Sequence, residues 1–341
     1  MSVRRPPFDP EIAVALVDQS EIVVTALAPG EITALRARAV PSDVRAAAAE
    51  AGCAVSEHSA PGPSGGVRVM LVRPTDVTEP VPVLLHLHGG GLIVGDVSDN
   101  VDMALDVAPG WAIASVEYRL APEHPYPAAV EDAFAALTWL TAEAAGLGID
   151  PGRVVVAGVS AGGGIAASLA LLARDRGGPD LLGQLLVYPM LDDRNDSGSG
   201  HQMAGVGSWD RNANATGWAA YLGTRAGGPD TPAYASASRA ATLGGLPPAF
   251  IDVGSAETFR DECVQYAARI WDEGGDAELH VWPGGCHGFD GLAPAAQMSL
   301  AARAARARWL ERLTSRTHEG AGRPGLARPT SSLLTLTESC S

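Results

Sequence analysis

Gly158-Val159-Ser160-Ala161-Gly162, with Gly163 and Gly164 directly behind it, is the stretch on which the reading of this chain turns. The apolar run Arg153-Val154-Val155-Val156-Ala157 leads in and reads as a parallel strand buried on both faces. The alanine-rich run from Ala161 to about Arg174 leads out and reads as a helix. A G-x-S-x-G between a strand and a helix is the pattern of a nucleophile elbow. The requirement is steric. The serine sits at a strained turn, so the positions two before and two after it must be nearly free of side chain, and Gly158 and Gly162 meet that need. The helix that starts after Ser160 also aims its first amides at negative charge forming near the hydroxyl. A glycine-rich turn with an incidental serine is the bland alternative, so the pentapeptide needs partners elsewhere in the chain.

Two further loops supply candidates. The strand predicted at Val83–Leu87 ends in His88-Gly89-Gly90-Gly91. A tetrahedral oxyanion needs backbone N–H donors aimed at it, and glycines let the backbone come close; H-G-G-G is the form this loop takes in lipases and esterases with an elbow of this kind. A phosphate-cradling loop competes, but the chain has neither G-x-x-x-x-G-K-[ST] nor a strand-borne G-x-G-x-x-G. His88 itself is read as orienting the loop through hydrogen bonds. Near the other end, the strand Leu279–Trp282 runs into Pro283-Gly284-Gly285-Cys286-His287-Gly288-Phe289. Of the eight histidines, His287 has the place in chain order and the glycine-flanked loop that let an imidazole swing over the elbow as general base and then acid. The acid that orients it should fall between serine and histidine. Glu257 follows the strand Ala249–Val253, at the carboxyl end where sites form in open α/β sheets. Asp252 lies inside the strand, and Asp261 and Glu262 read as first-turn helix carboxylates.

The rest of the chain bounds the answer. With 341 residues, 46% hydrophobic and 18% charged, it suits one large α/β domain with an accessory piece, or two domains. Strand-like runs at Val67–Val72, Val83–Leu87, Trp111–Glu117, Val154–Ala157, Leu185–Tyr188, Phe250–Val253 and Leu279–Trp282 alternate with helical segments at Ala128–Ala145, Ala161–Arg174, Phe259–Glu273 and Ala295–Leu313. That alternation predicts a mostly parallel sheet with crossover helices. Residues 1–48 read as amphipathic helices, Pro10 to Leu27 and Glu31 to Ala49, that cap a catalytic unit of residues 49–313. A long interruption at about 191–232, with Trp209, Trp218 and Tyr221, reads as a lid or specificity insertion. From residue 314 to 341 the composition predicts a disordered tail. A formal net charge of −15 argues against nucleic acid and anionic membrane surfaces. The paired Arg4-Arg5 precede no apolar core, so neither a signal peptide nor a membrane span is read, and the cytoplasm is the expected location. All 24 basic residues are arginine, which excludes a Schiff-base lysine, a Ser–Lys dyad and a P-loop lysine. The four cysteines lack metal-ligand or C-x-x-C spacing, and no cofactor or metal is expected. Cys286, beside His287, is read as a small filler, with a thiol nucleophile as a remote alternative.

With oxyanion loop, elbow and histidine loop in order, the chain resembles the hormone-sensitive-lipase-like family of α/β-hydrolases, the bacterial family IV esterases, over roughly residues 50–313. The segment from Tyr118-Arg119-Leu120-Ala121-Pro122-Glu123-His124 through Asp132 reinforces the likeness. The resemblance implies an α/β-hydrolase fold with a mostly parallel eight-stranded sheet, flanking helices and a helical cap built from the N-terminal segment and the insertion. It implies Ser160 as nucleophile, Glu257 as acid and His287 as base, with Gly90, Gly91 and the Ala161 amide as oxyanion donors. It gives Arg119, Glu123 and Asp132 the look of a structural ion network. It further implies hydrolysis of short to medium acyl esters through an acyl-enzyme, with no cofactor, and it admits a homodimer through the last strand or helix. Amidase, lactonase or carbamate hydrolase chemistry would use the same residues; a ligand-binding receptor on this fold is a rival that typically lacks the histidine. Leu92, Ile93, Tyr188, Trp209 and Trp218 are candidates for an apolar substrate pocket, with core packing as the competing role. The chain departs from the family at two positions: Val159 stands where the elbow usually carries Asp, and Glu257 stands where the acid is usually Asp.

Overall fold

Apolar runs become eight strands of a single sheet in the computed structural model, which describes residues 4–20 and 23–320. The strands are β1 (Cys53–Gly62), β2 (Gly65–Pro74), β3 (Val81–Leu87), β4 (Ala112–Val116), β5 (Ile149–Val159), β6 (Gly183–Val187), β7 (Ala249–Gly254) and β8 (Ala277–Trp282). Their spatial order is β1-β2-β4-β3-β5-β6-β7-β8, with β2 antiparallel to both neighbours and every pairing from β4 to β8 parallel. This is the α/β-hydrolase fold, as the resemblance implies. Val154, Val155 and Val156 at its centre are wholly buried, which suits a strand covered on both faces; full burial of each such side chain contributes about 1.5–3 kcal/mol.

The helices in chain order are α1 (Pro10–Asp18), α2 (Ile32–Arg38), α3 (Val44–Glu50), α4 (Val101–Val107), α5 (Ala128–Ala142), α6 (Ala144–Leu147), α7 (Ala161–Arg176), α8 (Gly198–Gln202), α9 (Arg211–Leu222), α10 (Arg260–Asp272), α11 (Phe289–Leu292) and α12 (Gln297–Gly320). The crossover helices fall where the sequence predicts them. The N-terminal segment differs. Its first helix stops at Asp18, because the β-branched run Val23-Val24-Thr25 resists helix and Val24 pairs with Trp209 as an isolated bridge instead. Pro41 splits the second into α2 and α3, so the expected boundary at residue 48 falls inside a helix whose Asp43 cap accepts from the Ala46 N–H at 3.1 Å. Strand β1 and helix α4 were not expected. β1 lies at the sheet edge and is half exposed, and its Ser56-Glu57-His58 core gives no apolar run to read. The tail expected to be disordered from residue 314 begins as helix, because neither Gly nor Pro interrupts the chain between Glu311 and Glu319; residues 321–341 lie outside the described residues. No helix among the described residues is long and apolar enough to cross a membrane.

The parallel strands all point their carboxyl ends to one edge. The H-G-G-G loop follows β3, the elbow follows β5, and the segments carrying Glu257 and His287 follow β7 and β8. Arg119 locks the segment after β4 onto α5 through a bidentate pair with the buried Asp132, Nε–Oδ2 and Nη2–Oδ1 both 2.8 Å. Glu123, expected in that network, is not part of it. It instead receives Arg36 of α2, with Nη1–Oε1 at 2.8 Å and Nη2–Oε2 at 2.9 Å, so it fastens the N-terminal segment to the catalytic unit.

Candidate active site

Ser160 is the one residue between β5 and α7. Its φ of 57° and ψ of −117° put a non-glycine residue in a costly region, of order 1–3 kcal/mol. The turn is held by its own backbone: the Ser160 N–H donates to Val187 O at 2.9 Å, and Ser160 O accepts from Gly164 N at 3.0 Å and Met190 N at 2.9 Å. A Cβ at Gly158 would run into the carbonyl oxygen of Gly162, and one at Gly162 into that of Leu87, which is the steric demand read from the sequence.

The structure brings the three expected side chains together. His287 Nε2 is 2.8 Å from Ser160 Oγ. On the other side of the ring, Glu257 Oε2 stands 3.5 Å from Nδ1, close enough for an ion pair but without a hydrogen bond. Ser160, His287 and Glu257 are all buried. Burial raises the Glu257 pKa above its ordinary value, opposed by the adjacent His287. The remaining carboxylates are committed elsewhere. Asp252 receives Trp282 Nε1 at 3.0 Å and Arg306 Nε at 2.9 Å; Glu262 accepts the Leu191 N–H at 2.7 Å, and Asp261 the Ser199 N–H at 2.7 Å. The two read as helix-dipole residues therefore tie the insertion to α10.

Beside the serine, the amides of Gly90, Gly91 and Ala161 have no acceptor among the described residues. His88 shapes their loop as expected. It stacks on Tyr118, with centroids 4.1 Å and planes 11° apart, and its Nδ1 lies 2.8 Å from Gly89 O. Burial lowers its pKa to about 4, so the ring is neutral and Nδ1 carries the donated hydrogen. Tyr118 Oη donates to His88 O at 2.7 Å. Gly91 has φ 61°, and a Cβ there would lie 2.5 Å from Trp209 Cη2, so the insertion's tryptophan sits directly over the loop.

These groups open on a cavity of about 350 Å³. Of the residues proposed for an apolar pocket, Tyr188 and Trp209 line it; Leu92 and Trp218 face a separate small void, and Ile93 is core. Its remaining apolar wall comes from Val24, Leu35, Met103 and Leu292, whose helical or β-branched context gave no sign of a site. Val159 also lines it, and it borders a second, small void together with Leu84, Met103 and Val187, so the surroundings of this position are apolar. Cys286 is buried, with its thiol pushed up to about 12 chiefly by burial, which leaves no thiolate at neutral pH. Among the described residues no group of three His, Cys, Asp or Glu side chains could hold a metal ion.

A family profile described as "alpha/beta hydrolase fold" matches residues 84–291. The chain belongs to this family. It is 38% identical over 239 residues to esterase LipI of Mycobacterium tuberculosis, covering 68% of this chain and 73% of the relative. It is 40% identical over 230 residues to carboxylesterase NlhH of the same organism, covering 65% and 71%. Among solved structures, a bacterial heroin esterase superposes with a TM-score of 0.81 at 36% identity, covering 90% of this chain and 98% of that one. The resemblance to the hormone-sensitive-lipase-like esterases therefore holds. The chain is a hydrolase of the carboxylesterase type.

Proposed function

We propose that the protein hydrolyses short to medium acyl esters of small molecules by a two-step acyl-enzyme mechanism with Ser160, His287 and Glu257 as its triad. The observation that carries this reading is the 2.8 Å contact between His287 Nε2 and Ser160 Oγ at a strained strand–helix elbow. His287 takes the hydroxyl proton as Oγ attacks the carbonyl carbon, and Glu257 stabilises the imidazolium that results. The amides of Gly90, Gly91 and Ala161 hold the oxyanion; losing one such donor typically costs about 10²–10³ in kcat. Collapse expels the alcohol with the proton from His287, and water attacks the acyl-enzyme with the same base. The N-terminal segment and the insertion act as the cap, since Val24 and Leu35 from one and Trp209 from the other roof the cavity. A cavity of about 350 Å³ suits a compact ester better than a long-chain triglyceride. The carboxylesterase relatives favour ester over amide or lactone.

The test is turnover of p-nitrophenyl esters from acetate to octanoate. Release of p-nitrophenol is expected, with Ser160→Ala lowering kcat by roughly 10⁴–10⁶. Undiminished turnover in that variant overturns the mechanism.

A further inference from the structure

Glu257 approaches His287 Nδ1 only to 3.5 Å, a loose contact that leaves a share in setting the imidazole plane to the groups packed on the ring. Two rings meet it edge-on. Phe259 does so with centroids 4.9 Å and planes 88° apart, Tyr188 with centroids 4.9 Å and planes 72° apart. Phe259 is plain apolar packing. Tyr188 differs in three respects: it is buried in the wall of the cavity that holds Ser160, its hydroxyl is bonded, and its φ of 34° is a conformation that bulky residues avoid.

A closed circuit of contacts holds Tyr188 in that conformation. Its backbone N–H donates to Asp252 O at 2.7 Å, and its hydroxyl donates to Asp290 Oδ1 at 3.0 Å. Arg306 of α12 joins those two residues, with Nε 2.9 Å and Nη2 2.8 Å from Asp252 Oδ2 and Nη1 on Asp290 Oδ2. The guanidinium carbon of Arg306 also lies 5.9 Å from the Tyr188 ring centroid. Asp290 is three residues past His287, so one carboxylate anchors both the tyrosine hydroxyl and the turn carrying the imidazole.

A buried charged trio is a poor device for stability alone, because well-packed apolar residues of the same volume usually do as well or better. No step of the proposed reaction uses Asp252, Asp290 or Arg306 directly. What the trio does supply is a fixed geometry at the ring that touches the base.

We propose that Tyr188 is a positioning residue for His287, held in register by the Asp252–Arg306–Asp290 circuit so that Nε2 stays on the Ser160 hydroxyl. The proposal rests on the serine-hydrolase reading of Ser160 and His287. Removing the tyrosine hydroxyl frees the ring and the turn at residues 288–290, and the imidazole spends less time aligned. Acylation and deacylation use the same base, so kcat falls. KM moves little, because the ring remains in the cavity wall.

The experiment compares the full chain with its Tyr188→Phe, Asp290→Asn and Ser160→Ala variants. It measures kcat and KM on p-nitrophenyl butyrate, the second-order rate of labelling by a fluorophosphonate, and Tm. The labelling rate reports how well the base activates Ser160 without any deacylation step. Tyr188→Phe is expected to lower kcat and the labelling rate together by about 10- to 100-fold, the scale of a small misplacement at a reacting group, with KM nearly unchanged. Asp290→Asn should do the same with a lower Tm; should it fail to fold, Tyr188→Phe decides alone. Wild-type kcat and labelling in Tyr188→Phe overturn the proposal, and so does a lower Tm with kcat intact, which would make the circuit a fold stabiliser only. A wild-type chain that neither turns over ester nor takes label at Ser160 is a different result: it overturns the serine-hydrolase reading itself, and the positioning role with it.

Discussion

At Glu257 the proposed acid carries one methylene more than the Asp usual in the family the chain resembles. The longer side chain reaches His287 Nδ1 from a fully buried position at 3.5 Å. Burial works against its charge and raises its pKa, and the imidazole is the group that draws the charge back. In the proposed mechanism the carboxylate is therefore worth most when His287 becomes a cation, that is, in the transition state for attack by Ser160. Glu257→Gln keeps the shape and removes the charge. It should lower kcat on a p-nitrophenyl ester by about 10²–10⁴ with a smaller change in KM. Asp261→Asn is the control, because Asp261 serves Ser199 N at 2.7 Å and Arg260 Nε at 2.8 Å and does not touch the imidazole. Its kcat should stay within a few-fold of wild type. A larger loss in Asp261→Asn than in Glu257→Gln would move the acid role.

At the scale of elements, the roof of the cavity is two segments distant in sequence that hold each other. Asp210 is the joint. Its buried carboxylate caps α9 by accepting the Ala213 N–H at 2.8 Å, and it also accepts the N–H groups of Ala26 at 2.9 Å and Gly205 at 2.8 Å. Val24 N donates to Ser208 O at 2.9 Å beside it, and Ser208 Oγ donates to His287 O. Asp210→Ala orphans three backbone N–H groups and the Asn212 amide and removes a helix cap, so it should cost at least about 2 kcal/mol. Its chemical effect should fall on KM, rising several-fold for octanoate over acetate esters, with kcat nearly kept; equal KM ratios in variant and wild type would separate the roof from substrate binding. This joint was not legible in the sequence, whereas the elbow was. The elbow is a local steric rule, so Gly158, Ser160 and Gly162 announce it within five residues, and strand–helix alternation then orders Glu257 and His287 around it. The contacts of Asp210 with Ala26 and of Arg36 with Ile93 and Glu123 span 57 or more residues, through side chains whose local context is ordinary. Edge strand β1 was hidden for the opposite reason: it buries one face only in part, so no apolar run marks it.

For the whole molecule, the same burial that builds the site makes stability depend on pH. His88 sits neutral beneath the H-G-G-G loop with its pKa lowered to about 4, and His86 in β3 is lowered too, both chiefly by burial. An unfolded histidine takes its proton near pH 6.5, so between pH 6.5 and 4 the unfolded chain binds protons that the native chain refuses, and stability falls as pH falls. For His88 alone the loss by pH 4 is about 3 kcal/mol. Some carboxyl groups oppose it. The Asp99 pKa, for one, is raised to about 6 mainly by burial, so the native chain binds that proton earlier than the unfolded one as pH falls. The histidine share of the stability should therefore be lost progressively from pH 6.5 to 4. His88→Asn keeps a side-chain donor toward Gly89 O and removes the titration. Its Tm is compared with wild type at each pH: relative to wild type the variant should lose less Tm, or gain more, on going from pH 6.5 to 4, whatever its value at pH 7. Parallel curves would place the acid sensitivity of the fold in groups other than the histidine beneath the H-G-G-G loop.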